Sequence, residues 1–599
     1  MRKSGFFPRL ALVNLMRNGR FYGPYLLSCG MTAAMYYILS YLTFSDIVAS
    51  VRGAGYLQSL MYLGRLVVTL FSAVLLLYAN SFVMKRRRRE LGLYNILGLE
   101  KRHTARLMVW ETLYCAAAAI VGGLAAGVLL SKLVLLLLLQ LSHLPVEYGF
   151  EISLSGMADT AALFGFLFLL TLVWNLFGLL RSRPVELLHS ASAGEREPRT
   201  RRLLVVLGAV TLGAGYATAL TVEDPFTALA YFFLAVALVM VGTYCLFTAG
   251  SIALLKLLRK NKRYYYQTGH FIGVSGMLYR MKRNAVGLAN ICILSTMVMV
   301  MISGTLSLYL GTGEIINAQY PADFQIEVRY GENQEEPFDP QAAVSLAEGF
   351  AKNQGLAVED LRTVEYVSMN VSRDEYGGFL LATSSDRSLN RMAYLITAAD
   401  YAALSGQTAP ELAPGQAMVC GREVQPGSLT FHTVEGEEKS LEVAGQLPEL
   451  TYFSVTNDTF APVCLVVADG QELSSWYRFQ QPTADRDYRF LIFMDLDCTQ
   501  EQALGLQAAW WDYTGDSMDV GGFNMLSVDT RVDMEVDGYA MAGGFLFLGI
   551  LLGIIFLLAT ALIIYYKQVS EGYEDQGRFE IMRKVGLEER QVRSSIRSQ

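Results

Sequence analysis

The residues of this 599-residue chain whose types could do chemistry are five histidines, seven cysteines, a few clustered acids and one basic run. The histidines (His103, His143, His189, His270, His432) are scattered between loops, and only His432 lies in segment 311–538, so a histidine triad there would rest on it alone. No Gly-Lys dipeptide occurs, which excludes a P-loop nucleotide site on this chain. No Gly-x-Ser-x-Gly elbow, Cys-x-x-Cys pair or His-Glu-x-x-His motif occurs either, so no catalytic residue and no metal site is expected. Asp485, Asp487, Asp495 and Asp497 could bind calcium, but their spacing is not that of an EF-hand, and a solvated acidic face is the simpler reading. Cys29, Cys115, Cys245 and Cys292 sit in apolar runs as small hydrophobes. Cys420, Cys464 and Cys498 are three, so at most one disulfide could join them. Trp476 and Trp510-Trp511, beside Tyr477 and Tyr513, could grip a cationic peptide; a place in a core is the favoured alternative.

What remains is mechanical. The stretch Glu90-Leu91-Gly92-Leu93-Tyr94-Asn95-Ile96-Leu97-Gly98-Leu99-Glu100 recurs loosely as Arg578-Phe579-Glu580-Ile581-Met582-Arg583-Lys584-Val585-Gly586-Leu587-Glu588. Each copy follows a long apolar run and ends in Gly-Leu-Glu, like a short helix at the foot of a membrane helix. Leu91, Tyr94 and Leu97-Gly98 fall on one helical side, and Phe579, Met582 and Val585-Gly586 take the same places, the spacing of a helix that docks in a partner's groove. Glu90, Leu91, Tyr94, Leu97, Gly98, Phe579, Glu580, Met582, Val585 and Gly586 are therefore the expected coupling residues. Lys85, Arg86, Arg87, Arg88 and Arg89 are expected to anchor the first copy on anionic lipid headgroups.

These feet need membrane helices to carry them. Apolar residues make up 53% of the chain and mean hydropathy is +0.32. Segment 311–538 holds 37 acidic and 12 basic residues, and the remainder 18 and 37, so an acidic domain is expected outside and a basic membrane body around it. At about 20 apolar residues per crossing, eight spans are expected: Phe21–Phe44, Leu63–Val83, Leu107–Leu130, Gly156–Leu180, Leu203–Leu220, Thr227–Phe247, Ala285–Leu310 and Tyr539–Tyr566. Lys and Arg alternate between loops so that the N-terminus and both feet face the cytoplasm. The third run continues through Leu133–Leu139, either as a projecting helix or along the interface. Gly123…Gly127 and Gly549…Gly553 suit close helix packing. Among the few polar residues near spans (Arg65, Asn80, Glu111, Asn175), Glu111 is expected to pair with Arg106, one turn away; the lack of mid-membrane charge argues against a secondary transporter.

Segment 311–538 is expected to be mixed α/β, with strands Phe324–Tyr330, Val364–Val371, Ala417–Cys420, Pro462–Val467 and Tyr488–Met494. It should also hold a hairpin over Gly427–Leu447 turning at Glu435-Gly436, and helices Pro340–Asn353 and Thr499–Trp511.

The chain resembles the permease subunit of bacitracin-resistance-type ABC transporters, in the FtsX-like, MacB-like superfamily. The resemblance is carried by Asn14-Leu15-Met16-Arg17-Asn18, echoed at Met277–Asn284, by 85–100, by Pro184-Val185-Glu186-Leu187-Leu188 with 194–198, and by Ile563-Ile564-Tyr565-Tyr566-Lys567-Gln568 through to Gly586. It implies an α-helical polytopic protein of the bacterial cell membrane with a large extracellular α/β domain between the seventh and eighth spans. The expected domains are a first four-helix module (1–190), a two-helix segment with linker (191–284), a seventh span or stalk (285–310), the acidic domain (311–538), and the eighth span with the second coupling helix (539–599). The family has ten spans, so the last two are expected to be missing before Gln599. The resemblance also implies two ATP-binding subunits on the feet, which hold the ATP and Mg while this chain carries no cofactor. It further implies a companion sensor histidine kinase, and an acidic domain that frees lipid-linked cell-wall precursors from antimicrobial peptide. Membrane lipid is an expected contact and nucleic acid is not. The alternatives are a peptide-sensing receptor that signals to the kinase, and a lipoprotein-release or division-type FtsX-like permease.

Overall fold

A bilayer offers no water to backbone N–H and C=O groups, so an apolar segment crossing it must close its hydrogen bonds within itself as a helix. Among its described residues the computed structural model has eight such helices: Gly19–Phe44, Ala54–Met84, Lys101–Leu141, Leu154–Arg181, Arg202–Thr221, Leu234–Lys260, Ala285–Gln319 and Arg531–Val569, here spans 1 to 8. The structure describes residues 5–50, 54–144, 152–181, 202–221, 225–266, 268–330, 338–373, 379–381, 391–420, 427–433, 437–450, 452, 463–479, 488–515, 525–584, 589–590 and 593. The stretches 184–188 and 194–198, Glu435, Gly436, Asp485, Asp487, Val585 and Gly586 lie outside them. The chain divides into two compact units, one of Met1–Thr218, Phe233–Tyr309 and Tyr539–Gln599, the other of Ala219–Phe232 and Leu310–Gly538.

In the first unit, span 1 is the most enclosed of the eight. Small residues make that possible, because a missing side chain lets two helix backbones approach. A Cβ on Gly123 of span 3 would meet the Gly30 carbonyl oxygen and the Ala33 Cβ at 2.7 Å, and one on Gly127 would meet Tyr37 Cδ1 at 2.8 Å. The second small-residue pair serves span 7: a Cβ on Gly549 would lie 2.7 Å from Thr305 Oγ1, and one on Gly553 3.3 Å from Ile302 Cδ1. Both Gly-x-x-x-Gly patterns therefore pack within this chain. Span 3 runs unbroken through its long apolar tail to Leu141, about 60 Å at 1.5 Å per residue, and ends at His143, whose φ is 52°. Span 6 contains one π-helical turn, Leu246–Gly250.

Among the described residues the second unit holds ten strands: β1 Phe324–Tyr330, β2 Ala357–Arg373, β3 Phe379–Leu381, β4 Arg391–Thr397, β5 Gln416–Cys420, β6 Ser428–His432, β7 Glu438–Leu447, β8 Val463–Val467, β9 Tyr488–Asp497 and β10 Met525–Thr530. They form one sheet ordered β10-β1-β9-β2-β3-β6-β7-β5-β8-β4, and β4 also pairs with β2. That extra pairing closes β2 through β4 into a ring, with β9, β1 and β10 as an extension along the other part of β2. β2 can serve both because Ala357–Val367 pairs with β9 and Tyr366–Val371 with β4. Closure removes exposed strand edges. The extension buries Phe324 against Phe350 of helix Pro340–Asn353 and Trp510 of helix Leu506–Thr514. The ring buries Phe431 and Trp476. Trp476 and Trp510 are thus core residues and offer no exposed grip.

The expected single helix over Thr499–Trp511 is two helices, Gln500–Ala503 and Leu506–Thr514. A capping box between Thr499 and Gln502 closes the first turn, and Gly505, a poor helix former, caps the second. Cys420 and Cys464 stand opposite each other across β5 and β8 as free thiols. Where the chain enters and leaves this unit, Asp323 pairs with Arg531 at 2.5 Å, accepts from the Leu496 N–H at 3.1 Å, and its carbonyl accepts from the Arg531 N–H at 3.1 Å.

Candidate coupling site at the feet of spans 2 and 8

The first foot is the uninterrupted end of a helix that runs Ala54–Ile96. It stops at Gly98, whose φ of 96° is open to glycine at little cost. The Leu99 N–H then reaches back to the Tyr94 carbonyl at 2.9 Å, the six-residue closure that ends many helices. Gly98 is therefore the stop that lets Glu100 and Lys101 begin span 3.

A helix places residues i, i+4 and i+7 on one stripe, and the foot uses that stripe inward. Arg87 and Leu91 are each 2% exposed, and Tyr94 packs beside Leu91 against Met108 of span 3 and Leu179 of span 4. Leu93 and Leu97 form the outward stripe at 51% and 72% exposed. The expected docking side thus splits: Leu91 is committed to its own bundle, Tyr94 is half-buried, and Leu97 is presented. The cause is the hairpin of spans 2 and 3, which turns one face of the foot back onto span 3.

Arg87 does not anchor on lipid headgroups as the basic run suggested. It makes a buried ion pair with Glu111 of span 3 and a second pair with Glu90. Glu111 takes Arg87 as its partner rather than Arg106, and it also accepts from Asn14 Nδ2 at 3.2 Å. Asn14 belongs to the N-terminal helix Phe6–Arg17, which also stacks Phe7 on His103 at 5.7 Å. The helix through Lys85, Arg86, Arg88 and Arg89 is described, but their side chains are not. The motif residue Asn14 thus acquires a structural partner 97 positions away, which no local pattern could supply.

The second foot is the end of helix Arg531–Lys584. Phe579 is half-buried, while Glu580 and Ile581 are exposed. Ile581, at 63% exposed, occupies the place that Leu93 holds in the first copy. The side chain of Met582 lies outside the described residues. The roots of the two feet touch: Phe82 of span 2 stacks on Tyr566 of span 8 at 4.2 Å. The Tyr565 and Tyr566 hydroxyls donate to the Arg20 and Phe21 carbonyls at 2.9 and 3.1 Å, tying the root of span 8 to the start of span 1. Beside the first root, spans 2, 3 and 4 enclose a cavity of about 640 Å³ lined by Tyr78, Asn80, Met84, Leu91, Trp174 and Asn175. Asn80 and Asn175 bond each other reciprocally at 3.0 and 2.9 Å. Arg65 pairs with Asp159. The amide pair is closed, in keeping with polar groups that must be satisfied away from water, whereas Asp159 is 40% exposed and the buried Arg65 Nε makes no hydrogen bond.

The FtsX-like permease C-terminal family model matches residues 63–184, which take in spans 2 to 4, the first foot, Arg87 and Glu111. Over 613 residues the chain is 23% identical to the bacitracin export permease protein BceB of Bacillus subtilis (strain 168), covering 98% of this chain and 89% of that protein. This chain carries an FtsX-like permease domain and is a homologue of Bce-type ABC permeases. It is likewise 23% identical to the BceB of Halalkalibacterium halodurans over 98% of its length. The uncharacterized ABC transporter permease YvcS of Bacillus subtilis is 28% identical over 281 residues, where the match spans 46% of this chain and 43% of that protein. As an ABC transporter permease subunit, the chain works with an ATP-binding partner subunit.

Proposed function

We propose that this permease serves antimicrobial-peptide resistance: ATP-binding subunits dock on the two feet, and their closure moves the helices that lead to the acidic domain. That domain then frees lipid-linked cell-wall precursors from peptide of the bacitracin kind. The feet face the cytoplasm and the acidic domain faces outside, the arrangement favoured by the excess of Lys and Arg beside the spans. ATP and Mg belong to the partner, in two copies, and a sensor histidine kinase is the companion that reads the state of the complex. A motor can do this work only if its closed form binds ATP better than its open form, so that ATP shifts the population.

The observation that carries the reading is the pair of matched feet, with Leu93 and Ile581 exposed at equivalent places on helices whose roots touch. The near full-length likeness to bacitracin export permeases supports a peptide of the bacitracin kind as the substrate class. The test is the full chain carrying Leu93→Arg and Ile581→Arg, co-expressed with a Bce-type ATP-binding subunit. The expected result is loss of ATPase co-purification and of bacitracin resistance at an unchanged amount of permease in the membrane. Retention of the ATPase at the wild-type ratio would reject docking at the feet.

A further inference from the structure

We propose that the buried Asn14–Glu111–Arg87 cluster is the bearing of the first foot: it ties the foot to span 3 and to the N-terminal helix, and Glu111 is its positioning residue. The proposal rests on the function stated above, because it concerns how a push on the foot is passed on.

A force applied to the outward residues Leu93 and Leu97 must leave the foot through its inward stripe, which is Arg87, Leu91 and Tyr94. Two kinds of contact lie along that stripe. Leu91 and Tyr94 meet Met108 and Leu179 through apolar surface, which is non-directional and can slide. Arg87 meets Glu111 through a charge pair at which the two side chains are 3% and 8% exposed. Separating that pair would leave an uncompensated charge away from water, so the two groups move together or not at all. Glu111 has a second obligation, the 3.2 Å hydrogen bond from Asn14. One carboxylate therefore joins three elements: the foot, the third span and the N-terminal helix. Glu90, one turn along the foot, pairs with the other side of Arg87 and holds the guanidinium in line. Phe7 on His103 supports the same junction from the far end of the N-terminal helix.

The experiment uses the full chain in membranes with its ATPase, and it reads amide exchange of foot residues 90–97, ATPase co-purification and bacitracin resistance. Glu111→Gln keeps the shape and removes the charge. It is expected to leave co-purification within about twofold while foot exchange quickens roughly 10- to 100-fold, the range for a lost hydrogen bond to a charged group, and resistance falls tenfold or more. The reversed pair Arg87→Glu with Glu111→Arg is expected to recover part of the foot's protection. Foot exchange at the wild-type rate in Glu111→Gln, or equal acceleration along the whole of span 3, would overturn the bearing. Should Glu111→Gln fail to fold, Asn14→Ala decides: it keeps both charges and should quicken foot exchange several-fold, and an unchanged rate overturns the proposal. Exchange is measured on the permease itself. Failure of ATPase docking would therefore count against the proposed function, while the exchange result still judges the cluster.

Discussion

Adding one methyl group at Gly123 probes a close contact between spans 1 and 3. The new Cβ would lie 2.7 Å from both the Gly30 carbonyl oxygen and the Ala33 Cβ, with the Ala34 N at 3.3 Å. Carbon atoms pack best near 3.5 to 4.0 Å, so spans 1 and 3 would have to separate by about 1 Å. Two of the three opposing atoms are backbone, which cannot turn aside as a rotamer can. Overpacking of this kind costs about 1–3 kcal/mol. The control is the adjacent residue: a Cβ on Gly122 meets nothing within 4 Å, so Gly122→Ala gains helix stiffness, at most about 0.5–1 kcal/mol. Both variants gain the same helix stiffness, so these isomers should differ by the overpacking alone, about 1 to 3 kcal/mol. Cys29 of span 1 and Cys115 of span 3 are buried beside this interface and report its opening. Alkylation of those two cysteines by a maleimide, mapped by mass spectrometry on the purified full chain, should be on the order of 5- to 140-fold faster in Gly123→Ala than in Gly122→Ala, at tenfold per 1.4 kcal/mol. Equal rates in the two variants would refute the close approach of spans 1 and 3.

Three further outcomes are expected. Asn80→Leu strands the Asn175 amide at a cost of about 1–3 kcal/mol, whereas Asn80→Leu with Asn175→Leu recovers most of it; thermal midpoints in detergent that rank the double variant below the single would contradict this. Gly98→Ala puts a side chain at φ 96° with no steric neighbour, a purely conformational cost of about 1–2 kcal/mol; limited proteolysis around residues 96–100 should quicken in Gly98→Ala and less so in Gly98→Asn. Burial lowers the Lys439 ammonium to about 8, with Glu472 acting in the opposite sense, as it sits 4.2 Å over the Trp476 ring and donates to Ser475 Oγ at 2.6 Å. The unfolded chain keeps that proton to about pH 10.4, so between about 8 and 10.4 the unfolded state binds more protons and Lys439's contribution to stability rises with pH. Lys439→Met should therefore melt higher than the wild type below pH 8, with an advantage that fades toward pH 10.4; a pH-independent difference would rule out the burial of this ammonium.

Hydropathy and spacing made much of this protein legible in one dimension. All eight spans follow from run length, because the bilayer imposes a thickness that any apolar helix must match. β1 and helix Pro340–Asn353 begin and end at the expected residues, since alternation and helical spacing are local properties. The repeated Gly-Leu-Glu stop marked both feet, and at Gly98 the reason is a backbone angle that favours glycine. Strands β3, β4 and β10 went unseen: β3 has three residues, too few for a pattern, and the partners that complete β4 and β10 lie far along the chain.

Five consecutive cations look alike on paper, and a lipid anchor is the natural reading of all five. Each residue turns about 100° around the helix, so only one or two of them can face inward, and which one is decided by where span 3 lies. That choice selected Arg87, gave it Glu111 at a separation of 24 residues, and brought Asn14 from 97 residues away. The same dependence closed the ring of strands through β2 and turned Leu91 inward while leaving Leu93 presented. Sequence alone determined the eight spans and most of the strands and helices, because those answers depend on neighbours within a few residues. Tertiary structure decided which face of each is buried, and hence which charges meet, because burial is a property of two surfaces and a single strand of text carries only one.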